Sequence, residues 1–262
     1  MDLGIENKIA IVCGGSKGIG YATAEALALE KVKVLVIARD KNCLAKAASD
    51  IRSKGGIVEV LEGDVADITL AEIAVEKCHK LWGSMDILVN NAGGPPMGTL
   101  LEHGDAEWEL AIQTNFLSAV RFCRAALPGM LNNKWGRIIS ITSTLSKEPS
   151  PPMVLSATTR ASVSVLMKTI ALEYASENIS ANAICPGGVL TDRLISLMKV
   201  RAERENRTYE DILSESQNWI PAKRFAEPKE IANTALFLAS EKGGYVNGVS
   251  LSVDGGLSKA FN

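Results

Sequence analysis

Short apolar runs recur along the chain at fairly even intervals, and longer amphipathic stretches fill the gaps. The runs are "KIAIVC" (Lys8–Cys13), "KVLVIA" (Lys33–Ala38), "IVEVLE" (Ile57–Glu62), "MDILVN" (Met85–Asn90), "GRIISIT" (Gly136–Thr142), "ISANAIC" (Ile179–Cys185) and "VSLSVD" (Val249–Asp254). Several are apolar at almost every position, the pattern of a strand buried on both faces. Helices are predicted over Gly18–Glu30, after a glycine-rich turn, and over Leu44–Lys54, ended by Gly55 and Gly56. A third spans Asp67–Trp82, with an acidic cap and a stop at Gly83. A long one runs over Asp105–Leu131, where Pro128 is expected to break the last turns. Beyond Arg160, the spacing of Val163, Leu166, Ile170 and Tyr174 gives a core-facing helical stripe. Pro228–Ser240 reads as a further helix, with Pro228 near its first turn.

Strand-helix alternation over the whole length predicts the α/β class: a doubly wound parallel sheet of about seven strands, with helices on both faces. No linker or internal repeat interrupts it, so residues 1–262 form one predicted domain. The single compositional shift is the charge-rich segment Thr191–Asn218, after the sixth strand. It reads as helical, and its place outside the alternating core favours a lid over a ligand (residues 191–218) rather than a merely solvated surface.

Composition narrows the function classes. The 28 basic and 30 acidic side chains leave a net charge of −2, which argues against nucleic acid or an anionic membrane as the main partner. No apolar run approaches the roughly 20 residues that span a bilayer, and Met1–Lys8 lacks an apolar signal core, so a cytoplasmic protein is expected. Cys13, Cys43, Cys78, Cys123 and Cys185 are scattered singly, and no metal site is expected.

The candidate chemistry begins at "VCGGSKGIG", Val12–Gly20, between the first strand and the first helix. In that setting Gly14 permits a tight turn, while Gly18 and Gly20 let backbone approach a pyrophosphate at the helix N-terminus. Ser16, Lys17 and Ile19 complete this segment. The second strand ends in Ala38 followed by Arg39 rather than a carboxylate. Arg39 and Lys17 are two cations suited to a ribose 2′-phosphate, so NADP(H) is preferred. Asp40 could serve as a ribose carboxylate instead, which would admit NAD(H), but it lies late for that role. Asp64 and Val65 follow the third strand, where Asp64 could meet an adenine amino group. Asn91, Ala92 and Gly93 follow the fourth, and strand-end loops of this kind converge where ligands bind.

Taken with "GGSKGIG", "NNAG", "QTNFLSA", "IISITS", "ICPGGVLTD" and the terminal "VDGG", the chain from about Lys8 to Gly256 resembles the short-chain dehydrogenase/reductase family. Its flavour is that of 3-oxoacyl-[acyl-carrier-protein] reductases. The resemblance implies a Rossmann-type fold, a homotetramer or homodimer, and hydride transfer to a small or acyl-linked carbonyl. It also implies a polarising serine at Ser143 and a water-supporting asparagine at Asn115. Pro186, Gly187, Val189 and Thr191 would form the wall beside the nicotinamide.

At the position of the family's tyrosine and lysine, however, the chain reads "SATTR", with Ser156 and Arg160 there instead. A serine hydroxyl is a far weaker acid than a phenol of pKa about 10. Arginine keeps its charge and gains a fork of donors, so it can still grip a ribose. Three outcomes remain open: a slower reductase using Ser143, Ser156 and Arg160 with a water as proton source; an isomerase or dehydratase; or a non-catalytic NADPH-binding sensor or partner subunit. Ser156 could also be a plain helix cap, and Lys147 is the one nearby replacement acid, unless it pairs with Glu148.

Overall fold

A computed structural model describes residues 2–260; Met1 and residues 261–262 of the predicted 1–262 domain lie outside the described residues. All seven strands pair in parallel, in the order β3-β2-β1-β4-β5-β6-β7. They are β1 (Ile9–Cys13), β2 (Lys33–Ala38), β3 (Ile57–Glu62), β4 (Ile87–Asn90), β5 (Gly136–Ile141), β6 (Ile179–Pro186) and β7 (Ser250–Val253). The helices are α1 (Gly18–Leu29), α2 (Lys41–Ser53), α3 (Leu70–Trp82), α4 (Asp105–Ala111), α5 (Ser118–Asn133), α6 (Val154–Tyr174), α7 (Asp192–Glu205), α8 (Tyr209–Trp219) and α9 (Pro228–Ala239).

The near-continuous apolar strands have a simple explanation. Ala10 and Val12 of β1 point to one core with Leu27 of α1, Ile51 of α2 and Ile231 of α9. Ile9, Ile11 and Cys13 point to a second core with Ala74 of α3, Phe122 of α5 and Met167 of α6. Successive strand residues face opposite sides, and both sides are dry.

Four helix expectations are corrected. Pro128 does not break α5, which continues to Asn133. Proline removes the bond to the carbonyl of Arg124; both residues are exposed, so water can take that carbonyl, while Ala126 and Met130 anchor the turn in the core. The predicted Asp105–Leu131 helix is also divided by a π-helical stretch over Ile112–Leu117, between α4 and α5. The third helix starts at Leu70 rather than Asp67, because Asp67 accepts hydrogen bonds from Thr69 N and Oγ1, each at 2.9 Å, and so closes a turn ahead of the helix. Conversely α2 starts three positions early, at Lys41, since Asp40 caps it by accepting from Cys43 N at 2.9 Å.

The charge-rich segment after β6 is the helix pair α7 and α8, as its sequence predicts. No described helix is long and apolar enough to cross a membrane, and the described residues contain no cluster able to hold a metal ion.

Leu88 in the central strand β4 is fully buried. Leu88→Ala is expected to cost about 2–5 kcal/mol of stability, read as a lower urea midpoint with an unchanged slope.

Candidate active site

Parallel pairing brings the carboxyl ends of the strands to one edge, where the loops after β1, β4, β5 and β6 meet. At β1 the chain turns through Gly14 (φ 59°) and Gly18 (φ 56°), backbone angles that disfavour any side chain. Asn91, just past β4, donates from Nδ2 to Cys13 O at 3.3 Å and Gly14 O at 3.2 Å, tying the two strand ends together. A Cβ at Gly20 would lie 2.3 Å from Gly14 O and 2.6 Å from Asn91 Nδ2, so this turn accepts only glycine there. Ser16 and Ile19 are half-buried on the same turn.

The start of α1 fits an anion. Side chains cap α2, α7 and α8 through Asp40, Thr191 and Thr208, whereas α1 has no side-chain cap and no acidic residue in its first turn. Its leading amides are therefore left for a ligand such as a diphosphate. Thr191 reaches this turn from the far side, its Cγ2 only 3.2 Å from where a Cβ of Gly18 would stand.

The adenosine side holds Lys17, Arg39, Asp40 and Asp64. Asp40 is occupied as the α2 cap, and those amide bonds, chiefly from Cys43, lower its pKa. Lys17 is exposed, and its pKa is raised first by a hydrogen bond with the Cys43 thiol. Arg39 Nη1 lies 3.6 Å from Asp64 Oδ2, and Asp64 also accepts from Ala66 N at 3.0 Å. Val65 faces the cleft with Asn91 and Ala92, and Gly93 is open to it.

At the reacting end Ser143 follows β5, half-buried, its Oγ accepting from Leu145 N at 3.2 Å. Asn115 sits in the π-helical stretch and donates to Ala111 O at 3.2 Å. Such a bulge turns one side chain out of helical register, here into the cleft. Ser156 is the third residue of α6 and buried; Met153, not Ser156, occupies the cap position, so the cap reading is corrected. Ser156 Oγ instead accepts from Arg160 Nε at 3.2 Å. Arg160 Nη1 donates to Ile141 O at 3.0 Å and Thr142 O at 2.7 Å, at the carboxyl end of β5. These carbonyls fix the guanidinium and leave Nη2 unbonded among the described residues. Burial first, and the Arg193 cation second, push the Arg160 pKa down to about 10; it stays charged near neutrality.

Asn90, Asn115, Ser140, Thr142 and Arg160 share a polar cavity of about 20 Å³, room for one water with several partners. The described tyrosines lie elsewhere, with Tyr174 at the far end of α6. Lys147 does not pair with Glu148, which accepts from Ser258 Oγ at 2.9 Å and Lys259 N at 2.7 Å.

The wall after β6 also serves the fold. Gly187 N donates to Val253 O at 3.1 Å, and a Cβ there would meet Asp254 Cβ at 2.9 Å. Pro186 pairs with Val253 in the sheet, and Val189 bridges to Ala226. Thr191 caps α7 by accepting from Leu194 N at 3.3 Å.

One feature escaped the sequence: Arg193, from the first turn of α7, donates through Nη2 to Pro95 O, and its one sequence signal was a basic residue two positions after Thr191. A pocket of about 650 Å³ lies beneath α7 and α8. Met97, from the loop after β4, and Met198, from the charge-rich segment, line it, and Met153, Trp219 and Phe225 join them from positions that no local pattern connects.

The family described as enoyl-(acyl carrier protein) reductase matches residues 14–258. The 3-oxoacyl-[acyl-carrier-protein] reductase FabG of Escherichia coli (strain K12) is 35% identical over 255 residues, 97% of this chain and 99% of the relative. L-sorbose reductase from Gluconobacter frateurii, solved with NADPH and L-sorbose, superposes with a TM-score of 0.93 at 35% identity, covering 99% of both chains. An actinorhodin polyketide ketoreductase with NADPH gives a TM-score of 0.94 at 29% identity, covering 97% of this chain and 98% of that one.

Arg160→Ala strips donors from two carbonyls at the end of β5 and should cost about 1–3 kcal/mol, seen as a lower Tm in calorimetry. Arg160→Lys, which keeps a donor, should recover part of that loss.

Proposed function

The chain belongs to the short-chain dehydrogenase/reductase family, and from that premise we propose that it reduces a carbonyl on a small or acyl-linked oxo substrate with NADPH. The observation that carries this reading is the join between Ser156 and Arg160, with Arg160 anchored on the carbonyls beside Ser143.

Gly14, Gly18, Ile19, Gly20 and Thr191 would hold the diphosphate, and the uncapped start of α1 supports it. Lys17 and Arg39 would take the 2′-phosphate; Asp40 is withdrawn into capping α2, which supports NADP(H) over NAD(H). When bound, the nicotinamide would supply a hydride, and negative charge would build on the oxygen of the substrate carbonyl. Ser143 donates to that oxygen, and the Nη2 edge of Arg160 adds positive charge from a fixed position. A water in the 20 Å³ cavity that Asn115 lines gives the oxygen its proton, and the hydroxide left behind takes a proton from solvent in turn. Serine lacks the acidity to replace the phenol, and general acid help is worth about 10²–10⁴-fold, so turnover is slow relative to a tyrosine-bearing relative. Residues 191–218 act as the lid, and the apolar 650 Å³ pocket beneath it receives the rest of the substrate. Val165 and Leu172, exposed on the outer side of α6, support a face for assembly as a homotetramer or homodimer.

One observation favours a second reading. Ser156 is buried and brings no acid of phenol strength to the cleft, which favours a protein that binds NADPH without turnover. NADPH oxidation with a panel of 3-oxoacyl thioesters, diketones and quinones separates the two: binding with no turnover at any pH supports the sensor and sinks the reductase. Ser156→Tyr/Arg160→Lys should raise kcat on a turned-over ketone by about 10-fold or more; a further loss would mean the native pair has chemistry of its own. For the cofactor, calorimetry should find NADPH bound more tightly than NADH, and Arg39→Ala should remove about 10-fold of that preference. A wild-type preference for NADH would overturn the Lys17 and Arg39 assignment.

A further inference from the structure

The polar side chains in the wall of the 650 Å³ pocket are all engaged by the protein itself. Arg201 bonds to Glu205 at 2.5 Å, to Glu215 at 2.7 Å and to Ser216 Oγ at 3.3 Å. Arg204 pairs with Glu102 at 3.6 Å and donates to Met97 O at 3.2 Å, and Ser150 Oγ donates to Pro151 O at 3.3 Å. We propose that this pocket receives the rings of a neutral aromatic ketone, and that Met97, Met153, Met198, Trp219 and Phe225 select it. The inference rests on the reductase reading above and narrows its substrate class.

A wall paired with itself decides which guests it favours. Arg201 and Arg204 balance Glu205 and Glu215, so no charge is left over to hold a carboxylate or a phosphate. A hydroxylated guest such as a sugar would give up its water without gaining partners in return. Main-chain oxygens of the wall are taken as well: Pro152 O accepts from Gly98 N at 2.6 Å, and Gly188 O from Ala226 N at 2.9 Å. What the pocket still offers is apolar surface. Trp219 lines it and yet is 73% exposed, which leaves a broad indole face for a guest to cover. Three methionines share the wall, and thioether sulfur makes favourable contacts with the edges of aromatic rings. Flat rings suit such a wall better than a flexible chain, which has more rotamers to give up on binding.

The pocket adjoins the reacting end and is built in advance. Met153 precedes Ser156 by three positions at the start of α6, and Gly188 follows Gly187 beyond β6. A Cβ at Gly188 would stand 2.5 Å from Phe225 Cδ1, so glycine there lets that ring close the wall. The bond from Gly98 N to Pro152 O joins the loop after β4 to the start of α6. Near the C-terminus, Ser258 Oγ and Lys259 N donate to Glu148 Oε2 at 2.9 and 2.7 Å, which holds the neighbouring Leu257 in the wall. A wall fixed before the guest arrives spares the cost of ordering it.

The test uses the full chain with NADPH and compares kcat/KM for 2-acetylnaphthalene, for 2-dodecanone, which has the same number of carbons, and for L-sorbose. Alongside, the neutral fluorophore N-phenyl-1-naphthylamine is titrated into the NADP⁺ complex. The naphthyl ketone should be used best, by about 10-fold or more over either of the others, and the fluorophore should bind. Trp219→Ala and Met198→Gln should each lower kcat/KM for the naphthyl ketone and the affinity for the fluorophore by about 5–10-fold, while the Kd for NADPH stays within about 3-fold. Equal or better use of L-sorbose or 2-dodecanone overturns the inference, as does a complex that takes up no fluorophore. Unchanged use of the naphthyl ketone in both variants also overturns it and places the rings elsewhere. NADPH bound with none of the ketones reduced sinks the reductase reading; fluorophore binding that Trp219→Ala weakens then still assigns an aromatic ligand to the pocket.

Discussion

Parallel pairing is the constraint on which this molecule depends. Seven strands running the same way put every carboxyl end on one edge, and each return crossing is spent on a helix covering a face. The two cores that result are what make the strands apolar at consecutive positions. Polar side chains at the strand ends, Asn90, Ser140 and Thr142 among them, gather there into a cleft. Asn91 secures the gathering by bonding to the carbonyls of Cys13 and Gly14, holding the β1 turn and the end of β4 together.

Within that cleft the exchange of lysine for arginine alters more than the charge carrier. An ammonium is a compact charge with rotatable donors; a guanidinium is a flat fork that can satisfy several fixed acceptors at once. Arg160 uses its fork on Ile141 O, Thr142 O and Ser156 Oγ, and so becomes part of the β5 terminus. The short Ser156 side chain makes that possible, since its oxygen meets Nε from one turn earlier on α6. The residues at 156 and 160 therefore form one structural unit.

The helix pair after β6 extends the same logic. Arg201 of α7 reaches Glu215 of α8 at 2.7 Å and also pairs within its own helix with Glu205 at 2.5 Å, and these charged side chains share the lining of the 650 Å³ pocket with Met198 and Trp219. Arg204 Nη2 reaches Met97 O at 3.2 Å, so α7 touches the loop after β4 at both its ends, through Arg193 and Arg204.

The sequence by itself determined the sheet, the glycine turn and the helix pair, because strand period, positive-φ glycines and capping are local properties. The bounds of β2 and β3 follow from their own residues, and Ser156 and Arg160 were legible as the occupants of two positions four apart, though the bond between them was not. Tertiary structure decided the rest. Whether Asp40 caps a helix or waits for a ribose depends on where Cys43 N points, and α5 continues past Pro128 because Ala126 and Met130 hold its last turns in the core. The carbonyls that receive Arg160 lie 18 and 19 positions away, and Pro95 lies 98 positions from Arg193. Contacts over such separations are set by how the sheet stacks its loops, and no local pattern carries that information.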